Sequence, residues 1–243
     1  MKYILLLTFV VVVYALYKPS INLINDPDII LPPGGLLGFY VLGICHFIKT
    51  NYNIEKKKVI GFSAGSFNTI FLSLDKDNDH KFLTELFKLN LHATMQLPVL
   101  LHKTIKLMNE LFDITDFNTA NKYIAVTTDY NRLDGYNQFL NMSDMTECCI
   151  SSSFIPFVTY NDLFYFYKGR CSVDGGLLYS RYKKKVKSCK PLLLNYKLFK
   201  RFNKYNIPGY GLLYKNCTIY DLYILGYHDA IKNKTILDDY LLV

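Results

Sequence analysis

Two short apolar runs, each followed by an amphipathic segment, organise the first third of the chain. Residues 29–31 and 59–62 are continuously apolar, which is typical of strands buried on both faces. After each run, apolar positions recur at i, i+3, i+4 and i+7, which predicts a helix with one buried face. These positions are Val41, Ile44, Cys45 and Ile48 in the first helix and Phe67, Ile70, Phe71 and Leu74 in the second. Two successive strand–helix units predict an α/β fold with a mainly parallel sheet flanked by helices.

The rest of the chain gives weaker signals for secondary structure. Residues 75–80 are polar and predict a loop, while residues 81–113 have a helical pattern that breaks near Pro98. Residues 222–243 also have a helical pattern. Further strands are expected at 123–128, 154–160, 163–167 and up to Val173. Because no internal repeat or low-complexity linker is found, residues 26–243 are predicted to form one domain.

The first residues have the pattern of a targeting segment. Residues 3–17 carry no charge, and the apolar run ends at Lys18 and Pro19. A full membrane span requires about 20 residues, so this run suits a signal peptide or a short membrane anchor better. A buried amino-terminal strand or helix is the structural alternative. We therefore expect residues 1–20 to be a signal or anchor, and the protein to be membrane-associated or in the secretory pathway.

Composition and charge indicate a globular domain that meets an anionic or lipid surface. Hydrophobic residues make up 51% of the 243 residues, and the formal net charge is +8. The stretch from Arg181 to Lys204 contains many basic residues and no acidic one. This stretch fits either a solvated basic face or an anchor on anionic lipid. The positive charge by itself is compatible with an anionic lipid surface or with nucleic acid.

The cysteines do not predict a metal or cofactor site. Cys148 and Cys149 are adjacent, the other four cysteines are scattered, and no CxxC pair occurs. Ordinary buried thiols are therefore expected, with neither a metal nor a cofactor.

The segment Gly61-Phe62-Ser63-Ala64-Gly65 is the candidate for a catalytic nucleophile. It joins the strand at 59–62 to the following helix, so Ser63 lies at a sharp strand-to-helix turn. Small flanking residues permit such a turn, which exposes the hydroxyl group near a helix N-terminus. The same GxSxG pattern also occurs in ordinary glycine turns, so neighbouring motifs decide its meaning.

Two further motifs flank this serine in sequence order. Gly34-Gly35-Leu36-Leu37-Gly38 follows the first strand and precedes a helix. Such a turn presents its backbone N–H groups to a negatively charged group. No Lys-Ser or Lys-Thr follows, which excludes a P-loop. Val173-Asp174-Gly175-Gly176 places an aspartate at a strand end, although Asp-Gly is by itself a common turn pair.

In this order the three motifs resemble those of the patatin-like phospholipase family. That family carries a GxGxxG-type oxyanion loop, a GxSxG nucleophile elbow and a DGA or DGG aspartate. The resemblance covers about residues 28–180 and includes Ile60–Asn68, the strand at 125–129 and the serine-rich stretch at 151–156. It implies a three-layer α/β fold and a serine acyl hydrolase that cleaves phospholipid or acylglycerol esters. A membrane or lipid surface, rather than nucleic acid, is therefore the expected partner.

The resemblance also implies a role for each motif residue. Ser63 would be the nucleophile and Asp174 the general base of a Ser–Asp dyad, with an acyl-enzyme intermediate. The N–H groups of Gly34 and Gly35 would form the oxyanion hole. The remaining motif glycines are Gly38, Gly61, Gly65, Gly175 and Gly176.

Departures from the family pattern keep alternatives open. Pro33 stands at the family's first glycine and has no N–H to donate, and Leu37 replaces a common Arg or Lys, as in subfamilies related to triglyceride lipases. A triacylglycerol lipase-like enzyme and a non-catalytic lipid-binding member of the fold are therefore alternatives. A Ser–Asp–His triad would use His228, the only histidine after Asp174. The serines at 151–153 are expected to be dispensable for labelling of the nucleophile.

Overall fold

A computed structural model describes residues 19–92, 95–200 and 217–242. The predicted signal or anchor segment lies outside the described residues except for positions 19 and 20. Within the described ranges, an eight-stranded mixed sheet, mainly parallel, is flanked by helices. The predicted α/β class is confirmed. None of the helices in these ranges is long and apolar enough to cross a membrane.

The described elements alternate along the chain. The strands are β1 (Ser20–Asn22), β2 (Ile29–Leu31), β3 (Val59–Phe62), β4 (Lys122–Thr128), β5 (Arg132–Tyr136), β6 (Tyr165–Tyr167), β7 (Arg170–Val173) and β8 (Leu192–Leu193). The α-helices are α1 (Gly38–Asn51), α2 (Ala64–Ser73), α3 (Lys76–Lys88), α4 (Leu97–Leu111), α5 (Met142–Ser152), α6 (Gly176–Lys185), α7 (Ile219–Lys232) and α8 (Lys234–Leu241). Short 3-10 turns cover Gly35–Leu37, Ile114–Asp116 and Lys187–Cys189.

The sheet has the strand order β1-β5-β4-β3-β2-β8, and the β6–β7 hairpin joins it through β4. Strand β2 is parallel to β3 and β8, and β3 is parallel to β4. Because side chains alternate along a strand, Ile29 and Leu31 face one core and Ile30 faces the other. Helices α1, α2 and α7 cover the first face and α6 covers the second. The domain therefore has three layers.

The sheet begins before residue 26, where the domain is predicted to start. Ser20–Asn22 of β1 pairs in parallel with residues 132–134 of β5. The side-chain amide of Asn22 also donates a hydrogen bond to Asp134 Oδ1 at 3.0 Å. The last position of the predicted signal or anchor segment therefore belongs to the sheet, and a truncation that preserves β1 ends at residue 18.

The apolar segment at 154–160 is not the strand that its composition predicts. It forms a loop with one isolated bridge between Pro156 and Tyr160. Phe157 has a φ of +61°, which an extended strand does not allow. The predicted strand at 163–167 is shorter than expected and covers only β6. Apolar side chains in this loop line a cavity instead of a sheet face, as described below.

Helix α3 begins within the segment that is predicted to be a loop. Its first turn contains Asp77 and Asp79, which interact favourably with the positive helix N-terminus. The polar residues at 75–80 therefore belong to the start of a helix, in which Asp77 is exposed and Asp79 is buried against Lys49. The predicted helical tail is confirmed and is divided between α7 and α8.

Candidate active site

Ser63 occupies a strained turn between β3 and α2. Its backbone has φ +54° and ψ −124°, a region that residues other than glycine rarely adopt. A Cβ atom on Gly61 would lie 2.2 Å from the Gly65 carbonyl oxygen, and one on Gly65 would lie 2.1 Å from the Leu31 carbonyl oxygen. The backbone N–H of Ser66 donates to the Ser63 carbonyl at 2.8 Å and closes the turn. Both glycines of the motif are therefore required by close backbone packing.

Strand topology brings Asp174 to Ser63. Residues 59–62 of β3 pair with residues 122–125 of β4. Strand β7 pairs antiparallel with Thr127 and Thr128 on the same side of β4, because β5 occupies the other side. Strands β3 and β7 therefore run toward each other along one side of β4, and their next residues are Ser63 and Asp174. The Ser63 hydroxyl donates a hydrogen bond to Asp174 Oδ2 at 2.7 Å.

The turn after Asp174 fixes its carboxylate. Asp174 Oδ1 accepts a hydrogen bond from the Gly176 N–H at 2.6 Å. The Asp174 N–H donates to the Phe154 carbonyl at 2.8 Å, and the Gly175 N–H donates to the Ser152 carbonyl at 2.9 Å. A Cβ atom on Gly175 would lie 2.2 Å from the Ala125 carbonyl oxygen, so this position also admits only glycine.

Burial adjusts the Asp174 carboxylate for proton transfer. Burial raises its pKa to about 6, and hydrogen bonds from the Ser63 hydroxyl and the Gly176 N–H partly oppose this rise. The carboxylate is therefore ionised at neutral pH and more basic than an exposed aspartate. A general base works best when its pKa is close to the working pH.

The glycine loop supplies free N–H groups beside the serine. Gly34 and Gly35 line the same cavity as Ser63, and Gly35 has a φ of +52°. Within the described residues, neither of their N–H groups donates a hydrogen bond, whereas the Leu37 N–H donates to the Gly34 carbonyl at 3.1 Å. A Cβ atom on Gly38 would lie 2.9 Å from Ala64 Cβ, so Gly38 lets α1 approach the nucleophile turn.

Pro33 packs against the turn that carries the base. A Cβ atom on Gly176 would lie 2.7 Å from Pro33 Cγ, which shows how closely the two segments approach. Pro33 therefore fixes the glycine loop against the aspartate turn, although it has no N–H to donate.

Ser152 joins the segments that carry the dyad, a role that the sequence pattern does not predict. Its hydroxyl accepts a hydrogen bond from the Ser63 N–H at 2.9 Å and donates one to the Ala125 carbonyl at 2.7 Å. Its carbonyl accepts from Gly175, as described above. The serine-rich stretch at 151–156 is the only sequence signal for this residue, because nothing in its spacing indicates a contact with Ser63.

A large apolar cavity opens beside the dyad. Its volume is about 770 Å³, and Ser63 and Asp174 lie in its wall with the glycine loop. The rest of the wall is mainly apolar and includes Phe39, Phe67, Leu97, Leu100, Leu101 and Phe154. The buried Ser153 hydroxyl has no hydrogen-bond partner among the described residues and belongs to the same wall. A mainly apolar cavity with a few polar groups in its wall suits an aliphatic ligand.

The structure does not bring a histidine to the dyad. His228 lies exposed on α7 and has no hydrogen bond to Ser63 or Asp174 within the described residues. The Ser63 hydroxyl contacts Asp174 Oδ2 directly, and the Gly176 N–H occupies Oδ1. A Ser–Asp–His triad requires an imidazole between the hydroxyl and the carboxylate, and this geometry has none there.

The buried cysteines do not provide an alternative nucleophile. Cys45, Cys148 and Cys149 are buried thiols without disulfide partners. Burial raises the pKa of Cys149 to about 12 and that of Cys45 well above its usual range. Since the thiolate is the reactive form, these side chains are inert at neutral pH.

Comparison with known proteins finds no family model that matches this chain and no curated protein with significant similarity to it. The functional assignment therefore depends on the sequence motifs and on the geometry of this site. That geometry defines an α/β domain with a Ser–Asp pair in the wall of an apolar cavity.

Proposed function

We propose that the protein is a patatin-like serine acyl hydrolase that cleaves ester-linked fatty acids from lipids. The observation that supports this most strongly is the 2.7 Å hydrogen bond from the Ser63 hydroxyl to Asp174 Oδ2, within the wall of the apolar cavity. A serine in direct contact with a basic carboxylate is an activated nucleophile.

In the acylation step, Ser63 Oγ attacks the ester carbonyl while Asp174 accepts the hydroxyl proton. The N–H groups of Gly34 and Gly35 stabilise the negative charge on the carbonyl oxygen. The tetrahedral intermediate then collapses, the C–O bond to the leaving alcohol breaks, and Asp174 returns the proton to that alcohol. Ser63 is left as a fatty acyl ester.

In the deacylation step, water replaces the alcohol. Asp174 accepts a proton from water, the hydroxide attacks the acyl carbonyl, and the Ser63 ester bond breaks. The proton returns to Ser63 Oγ, and the fatty acid is released. No histidine takes part in either step.

A phospholipid is the first substrate proposed, with its acyl chain in the cavity. Among the residues that line the cavity there is no lysine or arginine, so a phosphate group has no cationic partner there. The headgroup would therefore stay outside the cavity. The same observation favours a neutral acylglycerol as the second candidate. Parallel hydrolysis assays of phosphatidylcholine and diacylglycerol with one enzyme preparation separate the two.

We further propose that the protein is membrane-associated or in the secretory pathway. The support is the uncharged run at 3–17, which suits a signal peptide or a short anchor. Fractionation of cells that express the full chain tests this proposal, and recovery in the soluble cytosolic fraction would contradict it.

The rate of hydrolysis is expected to depend on the protonation of Asp174. Its pKa of about 6 lies above that of an ordinary aspartate, so the base is protonated as the pH falls below this value. For a soluble short-chain ester, kcat/KM should be constant above about pH 7 and fall about tenfold per pH unit well below pH 6. A His228→Ala variant should give the same profile. A profile that changes in this variant would contradict the dyad.

Substitution of Gly35 with valine is expected to lower turnover strongly. A β-branched side chain at a φ of +52° forces the backbone to rotate, which turns the Gly35 N–H away from the oxyanion. Loss of one such donor costs about 3 kcal/mol of transition-state stabilisation, or about 100-fold in kcat. The matched control is Gly34→Ala, because a Cβ atom there has its nearest neighbour at 3.6 Å. Wild-type turnover in Gly35→Val would show that the oxyanion donors lie elsewhere.

Filling the cavity at Leu100 is expected to change chain-length selectivity. Leu100 is buried in the cavity wall, and tryptophan at this position would occupy space that the distal acyl chain needs. Excluding two methylene groups costs about 1.6 kcal/mol, so hydrolysis of a long-chain ester should fall about tenfold relative to a butyrate ester. Leu100→Met conserves volume and should leave the ratio unchanged. An unchanged ratio in Leu100→Trp would place the acyl chain elsewhere.

A further inference from the structure

Four exposed apolar or aromatic side chains lie on the loop and hairpin beside the cavity, and together we call them the apolar rim. Their exposure lies between 37% and 63%, which is high for side chains of this size. They are Val158, Tyr160, Leu163 and Phe166.

One member of the rim lies directly at the cavity. Val158, on the loop after α5, is part of the cavity wall although it is 53% exposed.

Two other members are held by residues of the cavity wall. The ring of Tyr160 stacks on that of Phe154 with centroids 6.0 Å apart. The carbonyl of Leu163 accepts a hydrogen bond from the Tyr130 hydroxyl at 3.2 Å. Phe154 and Tyr130 both line the cavity, so the loop at 155–164 is fixed beside it.

Strand register places Phe166 on the cavity side of the β6–β7 hairpin. Phe166 lies directly opposite Cys171, and side chains of opposed residues share a face. Val173 is two residues after Cys171 and therefore lies on that same face. Because Val173 lines the cavity, Phe166 also extends from this side of the hairpin, where it is 63% exposed.

The rim carries almost no charge. Residues 154–166 contain one charged side chain, Asp162. The cations that follow are engaged with carboxylates, since Arg170 pairs with Asp129 at 3.3 Å and Lys168 pairs with Asp144 at 3.2 Å.

The lysines at 183–190 lie toward the ends of the strands that are opposite the cavity, and we call them the basic cluster. Helix α6 begins at the cavity with Gly176, and the first of these lysines, Lys183, lies about 10 Å farther along the helix. Cys189 Sγ lies 3.1 Å from the carbonyl oxygen of Asn25, which precedes β2. The cavity lies at the other ends of β2 and β3, so the rim and the basic cluster do not share one plane.

We propose that the apolar rim is the docking surface for a zwitterionic phospholipid bilayer, and that it sets the cavity mouth against the lipid without the basic cluster. This inference rests on the proposed function and adds how the enzyme reaches its substrate. Transfer of each rim side chain from water to the acyl-chain boundary lowers the free energy of the system. Tyrosine is suited to the headgroup level of the bilayer. An uncharged rim matches a surface with no net charge. Continuity of the rim with the cavity gives a lipid a path that remains apolar.

Tryptophan reporters test this docking directly, because the chain contains no tryptophan. Phe166→Trp is made in the full chain that also carries Ser63→Ala, so no lipid is consumed. The matched reporter is Tyr240→Trp on α8, where Tyr240 is 43% exposed. Tyr52 directly follows α1, and its hydroxyl donates a hydrogen bond to Asp238 Oδ1 of α8 at 2.7 Å. Helix α8 therefore lies at the end of α1 away from the cavity.

Vesicles of phosphatidylcholine with brominated acyl chains are then added. We expect the Phe166→Trp emission to shift to the blue and lose most of its intensity, and the Tyr240→Trp emission to stay unchanged. Adding Leu163→Asp to the Phe166→Trp chain should remove most of the quenching. If the Phe166→Trp chain does not fold, Leu163→Trp serves as the reporter.

Three outcomes would overturn the proposal. Unquenched rim reporters would show that the rim is not in lipid, and a protein partner would then be its occupant. Quenching of Tyr240→Trp instead would place lipid at the far end. Quenching that requires phosphatidylserine and disappears at high salt would assign docking to the basic cluster. Because these measurements need no turnover, they fail independently of the hydrolase proposal.

Discussion

Replacing Ser63 with alanine is expected to lower ester hydrolysis by about 10⁴-fold or more, because no other group can form the acyl-enzyme. Ser63 is only 8% exposed and makes its side-chain contact with Asp174, so the fold should not depend on the hydroxyl. The measurement is hydrolysis of a soluble ester and of a phospholipid, together with the unfolding midpoint. Retained turnover in a folded variant would remove the nucleophile from the mechanism.

A glycine at the same position provides a second, independent control. Ser63 has a φ of +54° and a ψ of −124°, which glycine adopts without strain. Ser63→Gly should therefore be inactive and more stable than the wild type by about 1 kcal/mol. An inactive but destabilised Ser63→Gly would indicate that the turn is not strained.

Asp174→Asn is expected to lower kcat by about 100- to 10,000-fold, because the amide keeps the size of the side chain but cannot accept the Ser63 proton. His228→Ala should be nearly neutral, since His228 is exposed on α7. The measurement is kcat for a soluble ester in both variants. Equal damage from the two substitutions would support a Ser–Asp–His triad instead.

The stability of Asp174→Asn should move in the opposite direction from its activity. The folded-state pKa of Asp174 is raised from 3.8 to about 6, so folding favours the protonated form. The contribution of this group to stability therefore increases as the pH falls from about 6 to about 4, and the ionised form costs up to about 3 kcal/mol at neutral pH. At neutral pH the asparagine variant should be at least as stable as the wild type. Chemical denaturation of the wild type and of Asp174→Asn at pH 7 and pH 4 measures the free energy of unfolding of each protein at each pH.

The central part of the fold could be predicted because local pattern and tertiary environment agree there. Strands β2 and β3 are buried on both faces, and helices α1 and α2 are buried over most of their length. Strands β1 and β8 contain only three and two residues, too short to give a periodic signal. Helix α6 also escapes detection, because its last turn is basic and only part of one face is buried.

The loop at 154–160 shows how apolar composition can mislead. Aromatic and branched residues favour a strand by propensity. Here they line a cavity or form its exposed rim, so the apolar pattern reflects the site rather than a sheet. Sequence alone does not distinguish these two uses of apolar side chains.

The site was predictable in its residues but not in its contacts. The order of the motifs identified Ser63 and Asp174 as candidates, and the structure places them 2.7 Å apart. Their proximity arises because β3 and β7 share one side of β4, which no local pattern reveals. The hydrogen bonds of Ser152 have the same origin, because they join segments that are distant in sequence.

Covalent labelling with a fluorophosphonate probe tests the central claim most directly, because the probe reacts with an activated serine. The labelled protein is digested, and the modified residue is identified by mass spectrometry. We expect one adduct, on Ser63, that is absent in Ser63→Ala and strongly slowed in Asp174→Asn. A folded wild-type protein that remains unlabelled, or that carries the label on another serine, would contradict the Ser63–Asp174 dyad.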